Sequence, residues 1–410
     1  MEKINVWFFS PHERHNSHGS RTYNFSRELV KRGHQVTMFS NSYCHRTHVE
    51  YLNPHEKWRI EEIDGVRIAL LRTFHYVGNG WRRGVNMFSF AWRAMQVAKT
   101  LSVKPDVIVG DSVPPLAGWV ASKLARDKGA AFIYQVRDVW PIALVYDGVL
   151  SKRSLVYYSF RFIEKHLYRK SHRICSTLPF LHQHVLESGG DPEGITWIPN
   201  GVDLSCYSNL GNYDGGDKLP LVAMYVGAFG FEHDVITIVK AAKILQQKGN
   251  DKYHFVIVGD GVKRSECERE VSLLELSNIE FLDSVDKSKV PQLQENSDIL
   301  IACLIDSNAY CFGINLNKLY DYFASGRPVI FSGRSPNDPV ADSKAGFSIP
   351  PEDPQAMAEV LDKYSNMSPA KRIELGKLAR CYAEKEFDAY KLAGRMESLL
   401  FQAVSDKNSQ

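Results

Sequence analysis

Short apolar runs alternate with amphipathic stretches along this 410-residue chain. "INVWFFS" at 4–10 is apolar almost throughout and ends in a Ser-Pro loop, which predicts a strand covered on both faces. "TYNFSRELVKRGH" then sets apolar residues at 25, 29 and 30 ahead of Gly33, predicting an amphipathic helix with a glycine stop. "QVTMFS" at 35–40 predicts the next strand. The alternation runs on through "VRIALL", a helix near 86–101, "PDVIVGDS", a helix at 115–128, "AAFIYQV", a helical stretch at 152–170, "RICST" and "ITWIPNGVD". It breaks at 207–220, "YSNLGNYDGGDKLP", where Gly, Asn and Asp accumulate as in a linker. A second series follows: "LVAMYVG", a helix at 233–248, "YHFVIVGDG", a helix at 263–275, "IEFLDSV", a helix at 288–296, "ILIACL", a helix within "NLNKLYDYFASG", "PVIFSG" and "GFSIPPED".

Strands alternating with helices predict parallel sheets with helices on both faces. The expected fold class is therefore α/β, with two Rossmann-like, doubly wound domains at 1–206 and 221–385 and a linker at 207–220. A final helix at roughly 370–404 is expected, and residues 386–410 are expected to cross back to the first domain. Open sheets of this kind bind ligands beyond the carboxyl ends of their strands, so a cleft is expected between those ends of the two domains.

Apolar residues make up 44% of the chain and charged residues 24%, ordinary values for a globular protein. The net charge of +3 conceals an asymmetry: residues 1–200 carry 27 Lys and Arg against 17 Asp and Glu, and residues 201–410 carry 23 against 30. Either the charges are scattered over the surface, or the basic half meets something anionic, such as lipid headgroups or a pyrophosphate carrier. Aromatics interleave with Arg and Lys in "GWRRGVNMFSFAWR" and "SKRSLVYYSFRFIEKHLYRK", which suits a peripheral membrane contact or, equally, an amphipathic helix with its apolar side in the core. No recognition motif supports nucleic acid as a partner. Seven cysteines without a C-x-x-C pair or zinc spacing fit a reducing compartment. With neither a long apolar leader nor a run of 18 apolar residues, the expected location is the cytoplasm, at most peripheral at the inner face of the membrane.

Three glycine turns follow predicted strands and open helices: "GSR" at 19–21, "GAFGFEHD" at 227–234 and "GDG" at 259–261. Glycine lets the backbone approach an anion, and a helix N-terminus offers free N–H groups. Neither a G-x-x-x-x-G-K-[ST] loop nor a G-x-G-x-x-G fingerprint is present, which argues against an NTP-hydrolysing P-loop and a dinucleotide cofactor. Lys318 and Asp321 sit three apart near the start of a helix. They form either an i,i+3 surface salt bridge or a site in which Lys318 neutralises a diphosphate and Asp321 accepts hydrogen bonds from ribose hydroxyls. In "QVRDVWP", Asp138 follows a buried-looking strand, where its carboxylate is a candidate base toward an acceptor hydroxyl; Arg137 either binds there or pairs with Asp138. Trp140 either stacks on a sugar or packs.

Taken together, "HGSRTYNFSRELVKRGHQVTMFSNSYCH", "NGWRRGVNMFSFAWR", "QVRDVWP", "IPNGVD", "VGAFGFEHDVITIVKAA", "VGDG", "NLNKLYDYFASGRPVI" and "GFSIPPEDPQAMAEVL" resemble, in order, a GT-B fold glycosyltransferase of family 4. Within that retaining, nucleotide-sugar-dependent family the chain looks like the bacterial O-antigen and capsule branch that includes L-fucosamine transferases. The resemblance implies a sugar transferase, with a UDP-sugar donor and a lipid-linked glycan acceptor in surface polysaccharide synthesis. It implies donor contacts at Gly19, Gly227, Phe229, His233, Val285 beside the base, the backbone of Asn315 and Leu316 at the phosphates, and Asp321 at the ribose. Acceptor contacts are expected at Arg21, Arg137 and Trp140, and catalytic roles at Asp138 and Lys318. The sequence departs from the family where the first acid of its E-x7-E motif would fall, at Gly313, and where its diphosphate-neutralising Arg and Lys would fall, at Ala228 and His233. Lys318 and His233 are the nearest replacement cations. No D-x-D triplet occurs, so neither a metal nor another cofactor is expected. The competing expectations are a sugar-nucleotide 2-epimerase of the same fold and a non-catalytic nucleotide-sugar-binding protein.

Overall fold

The computed structural model describes residues 3–13, 20–44, 48–78, 80–216 and 218–409, which divide into unit 1, Met1–Pro199 with Ala389–Gln410, and unit 2, Asn200–Asp388. In unit 1 the apolar run at the start becomes β1 (Asn5–Phe9), buried at every position. Ser20 then caps α1 (Arg21–Lys31) by accepting from the Tyr23 amide, and the chain returns in β2 (Gln35–Asn41). A small hairpin, β3 (Tyr43–Cys44) with β4 (Val49–Glu50), precedes β5 (Trp58–Ile63) and β6 (Val66–Leu71). Next come α2 (Trp81–Thr100), β7 (Val107–Asp111), α3 (Pro115–Lys128), β8 (Ala131–Val136), α4 (Ile142–Tyr146), α5 (Leu155–Lys170), β9 (Arg173–Ser176), α6 (His182–Glu187) and β10 (Ile195–Trp197). The eight-stranded sheet has the order β10-β9-β8-β7-β1-β2-β6-β5. All its neighbours run parallel except β5, which lies antiparallel on β6. β5 was not expected, because "WRIEEI" is a polar edge strand and lacks the apolar run of its neighbours.

Unit 2 repeats the scheme with β11 (Leu221–Val226), α7 (Ile236–Gln247), β12 (Tyr253–Val258), α8 (Arg264–Leu273), β13 (Ile279–Leu282), α9 (Val290–Glu295) and β14 (Ile299–Cys303). It closes with α10 (Asn317–Ala324), β15 (Val329–Ser332), α11 (Pro339–Ser343), β16 (Gly346–Ile349), α12 (Pro354–Ser365) and α13 (Pro369–Tyr382). Its six strands are all parallel, in the order β13-β12-β11-β14-β15-β16.

Two boundaries differ from expectation. The 207–220 stretch is not a free linker: Tyr207 donates to Asp321, Tyr213 bonds Tyr364 at 2.7 Å, and a Cβ on Gly215 would lie 2.5 Å from the Pro369 carbonyl. Those contacts fasten it within unit 2, and the division falls at Pro199/Asn200 instead. Nor is the final helix continuous. After α13 the chain makes a π-turn at Ala383–Phe387 and goes extended at Asp388 before α14 (Ala389–Asn408). The cause is Phe387, buried against Tyr320, Phe323 and Tyr382, whose carbonyl accepts from the Val202 amide at 2.8 Å. α14 then packs on α1 in unit 1, where Glu397 pairs with Arg32 at 2.7 Å and with His34 at 2.8 Å. Leu392, Met396, Leu399 and Leu400 complete that unit's core.

The glycine turns of unit 2 pack backbone on backbone. Gly259 has φ +145°, and a Cβ there would sit 1.9 Å from the Gly227 carbonyl oxygen; one on Gly261, φ +148°, would sit 2.7 Å from that of Phe229. Phe229 donates its amide to the Asp260 carbonyl at 2.9 Å, closing the two turns on each other. Gly259→Ala is expected to cost about 3 kcal/mol from combined strain and overpacking. Urea unfolding checks this, and an unchanged midpoint would show that the turns are not in contact.

Candidate functional site

Strand order in the second sheet reverses between β11 and β14, so the space past their carboxyl ends is left uncovered by either crossover. Gly227 follows β11 and Cys303 ends β14. Lys318, the second residue of α10, reaches this point: its Nζ donates to Tyr225 Oη at 2.7 Å and lies 4.3 Å from that ring's centre. A Cβ on Gly227 would approach the same Nζ to 2.8 Å, so the glycine is what leaves room for the ammonium. Among the described residues Lys318 forms no ion pair. Burial lowers its pKa to about 8, with the Cys303 thiol and Glu232 pulling weakly the other way. The N-terminus of α10 beside it has no side-chain cap, which leaves its first amides available to an anion.

His233 is not a replacement cation. Burial first, and the charge of Lys318 second, depress its imidazole to about 3, so it is neutral at physiological pH. Phe229 is likewise corrected: its ring is fully buried in the core of unit 2, edge-on to Tyr225, and cannot face a donor. Val285 is exposed in the loop after β13. Asn315 spends its side-chain carbonyl on the Asn200 amide (3.0 Å) and Tyr320 Oη (2.7 Å). Asn337 clamps the Ile314 amide and carbonyl and so fixes the approach to Leu316, where the amides expected to meet phosphate lie. Gly313 is buried with φ +100°, so where the family carries its first acid this chain has a turn.

Lys318 and Asp321 do not pair, although they lie three apart. Asp321 is buried; Tyr207 Oη donates to its Oδ1 at 3.0 Å and Lys287 Nζ to its Oδ2. Sequence reasoning missed Lys287 and Tyr207, 34 and 114 residues away, because nothing local links them to α10. It also missed Arg264, which donates to the Gly259 carbonyl and to Asp283 Oδ1, both at 2.8 Å, and ties the "GDG" turn to the end of β13.

The sheet of unit 1 reverses between β1 and β7, and there the site is acidic. Glu13, past β1, accepts from Ser20 Oγ, the Thr22 amide (3.2 Å) and Arg137 Nη1. Asp111, the last residue of β7, accepts from Gln135 Nε2 and stands 3.9 Å from the same guanidinium. Burial alone would raise Glu13, but Arg137 and the donors around it hold it below the usual carboxylate value. Burial pushes Asp111 up to about 6 despite Arg137. The signal for Asp111 was present in the sequence, as an acid closing the apolar strand "VIVGD".

Arg137 therefore pairs with Glu13, and Asp138 stands exposed beyond β8, its carbonyl accepting from Ser112 Oγ at 3.0 Å. Arg21 is not an acceptor contact: it is buried, donating to the Pro199 carbonyl and stacked 4.5 Å over Phe25. Trp140 packs with Met87 and Leu116 under Arg83 and presents no free stacking face. Gly19 lies outside the described residues.

Two Rossmann-like units, each built on a doubly wound sheet, are the architecture of a GT-B glycosyltransferase. The chain matches a glycosyl transferase 4-like domain over 18–201 and a glycosyl transferases group 1 domain over 220–366, and belongs to the GT-B glycosyltransferases of the family 4 type. It is 21% identical over 302 residues to the probable glycosyltransferase WbjE of Pseudomonas aeruginosa, covering 70% of this chain and 72% of that one. Among solved structures it is similar to the sucrose-phosphate synthase of Thermosynechococcus elongatus, with TM-score 0.74, 18% identity and coverage of 98% and 99%. It is also similar to the HepE protein of Anabaena in complex with UDP and glucose, with TM-score 0.67, 12% identity and coverage of 97% and 99%.

A carboxyl group raised to about 6 in the folded state binds its proton more tightly there than in the unfolded chain, so it favours folding below about pH 4 and loses that advantage as pH rises through 6. Relative to Asp111→Asn, the wild type is expected to lose about 3 kcal/mol between pH 4 and 7. Chemical unfolding of both proteins across that range measures it, and parallel pH profiles would refute it.

Proposed function

We propose that the chain is a retaining, metal-independent glycosyltransferase that moves a sugar from a UDP-linked donor to a lipid-linked glycan acceptor in surface polysaccharide synthesis. The observation that carries this reading is Lys318, a desolvated ammonium with no acid partner among the described residues, beside the uncapped start of α10. Breaking the anomeric C–O bond sends its electron pair to the diphosphate oxygen. Lys318 and the α10 amides answer that growing charge. The acceptor oxygen forms the new bond on the same face, and its proton passes to the departing phosphate. Asp321 takes the ribose hydroxyls; Lys287 holds that carboxylate in place. UDP is favoured because the HepE structure holds UDP and glucose. Acceptor recognition is assigned to unit 1, with Asp138 as the carboxylate that orients the hydroxyl and the basic surface of that unit meeting the membrane.

A panel of nucleotide sugars, assayed with and without polyprenyl-linked acceptor, tests this. UDP release that requires acceptor, an unchanged anomeric configuration in the product and insensitivity to EDTA are expected. Conversion of a UDP-sugar without acceptor would assign the chain to 2-epimerisation instead.

Anion binding favours the ammonium form of Lys318, so affinity for UDP is complete below pH 8 and falls as pH rises through that value. Calorimetry is expected to show about a tenfold loss per pH unit above it. Lys318→Met should bind weakly with a flat profile; a flat wild-type profile removes Lys318 from the diphosphate.

A further inference from the structure

The outer faces of α2 and α5 carry large apolar side chains that none of the described residues covers. On α2 they are Trp81, Val85, Phe88 and Trp92, at spacings of four, three and four, a single stripe along the helix. Trp81 is 75% exposed, Phe88 68% and Trp92 55%. The opposite face of the same helix supplies Met87, Phe90, Ala94 and Val97 to the interior, so the core does not need the outer stripe. On α5, Leu155, Tyr158 and Phe162 repeat the arrangement at 84%, 61% and 66% exposure. α3 packs on both helices, and Met87 and Ala91 of α2 gather with Phe160 and Ile163 of α5 around Trp140 and Leu116 in one apolar cluster. The two stripes are therefore parts of one surface, far more apolar than scattered exposed residues explain.

Charge says what covers it. Residues 81–100 and 151–170 contain ten Lys and Arg and a single acid, Glu164. Glu164 is buried, held by Arg161 at 2.5 Å and His184 at 2.6 Å, so it answers Arg161 and leaves the other nine cations without an acid on these helices. Arg82, Lys152 and Arg153 stand exposed at the helix starts, and Arg93 lies 4.7 Å over the Trp92 ring. A second copy of this face would oppose like charges with like. Aromatic side chains among Lys and Arg on helices lying flat match an anionic bilayer surface, where rings settle at headgroup depth and cations meet phosphate. Among the described residues no helix is long and apolar enough to cross a membrane, so the contact is an interfacial one.

We infer that the α2 and α5 face of unit 1 is an interfacial docking surface for anionic lipid, with the Trp81–Trp92 stripe inserted and the flanking cations on the headgroups. As to purpose, the assignment rests on the lipid-linked acceptor proposed above; as to evidence, it rests on this surface alone.

The test is co-sedimentation of the full chain with vesicles of phosphatidylcholine alone or with one third phosphatidylglycerol, at low and high salt. Three proteins are compared: wild type, Trp81→Ser/Phe88→Ser/Trp92→Ser, and Lys152→Glu/Arg153→Glu. All five positions are surface ones, and UDP binding with thermal melting establishes that each variant is folded. The wild type is expected to bind the phosphatidylglycerol vesicles, with a blue shift of tryptophan emission. The apolar variant should lose at least about tenfold in partitioning together with that shift, and the charge variant should lose the salt-sensitive part. Binding that is equal in all three proteins overturns the inference. So does a wild type that self-associates without vesicles and becomes monomeric in the apolar variant, which would make the face an interface between copies. Failure of UDP to bind any of the three would sink the donor reading and leave the vesicle result to stand by itself.

Discussion

A partly buried ammonium that forms no ion pair among the described residues is the constraint around which unit 2 is arranged. Desolvation works against the charge of Lys318, and nothing within the described part of the fold compensates it fully. The neighbours accommodate the cation without neutralising it: Tyr225 offers a hydroxyl and a ring face, Gly227 leaves out a side chain, and His233 stays uncharged. The one acid three residues away is turned aside by Lys287 and Tyr207. Such an arrangement is unfavourable for an empty protein and favourable for one that receives a dianion.

The same topology in unit 1 carries the opposite electrostatics. There too the sheet reverses beside its first strand, but two carboxylates, Glu13 and Asp111, share the guanidinium of Arg137. That cluster sets two carboxylates against one guanidinium, and the exposed carboxylate of Asp138 lies beyond it. One fold, used twice, thus presents an unpaired cation at one reversal and an acid-rich cluster at the other.

Most of the architecture was legible because parallel strands buried on both faces leave unbroken apolar runs, such as "INVWFF", "VIVG" and "ILIAC". The helix at Pro115–Lys128 was delimited by its own proline and glycine. What stayed hidden was set by distant contacts. β5 is polar because it is an edge, and the break between α13 and α14 depends on where Phe387 is buried. In the site, the adjacency of Lys318 and Asp321 in sequence suggested a mutual pair, which packing does not allow. Arg21, Trp140 and Phe229 look like ligand contacts when read along the chain, whereas each is consumed by the interior. Whether a polar or aromatic residue faces inward at a strand end is decided by the neighbouring strand, which local spacing does not encode.

The route of the last helix has a consequence for the order in which the protein takes shape on the ribosome. Unit 2 is a single uninterrupted segment, Asn200–Asp388, and everything it needs has been synthesised before the chain ends. Unit 1 begins first but must wait for Leu392, Met396, Leu399 and Leu400, which fill its core from the far end of the sequence. Until α14 emerges, one face of its parallel sheet stays incompletely covered, with apolar surface open to chaperones or to other nascent chains. The half that is written first is thus the half that is finished last.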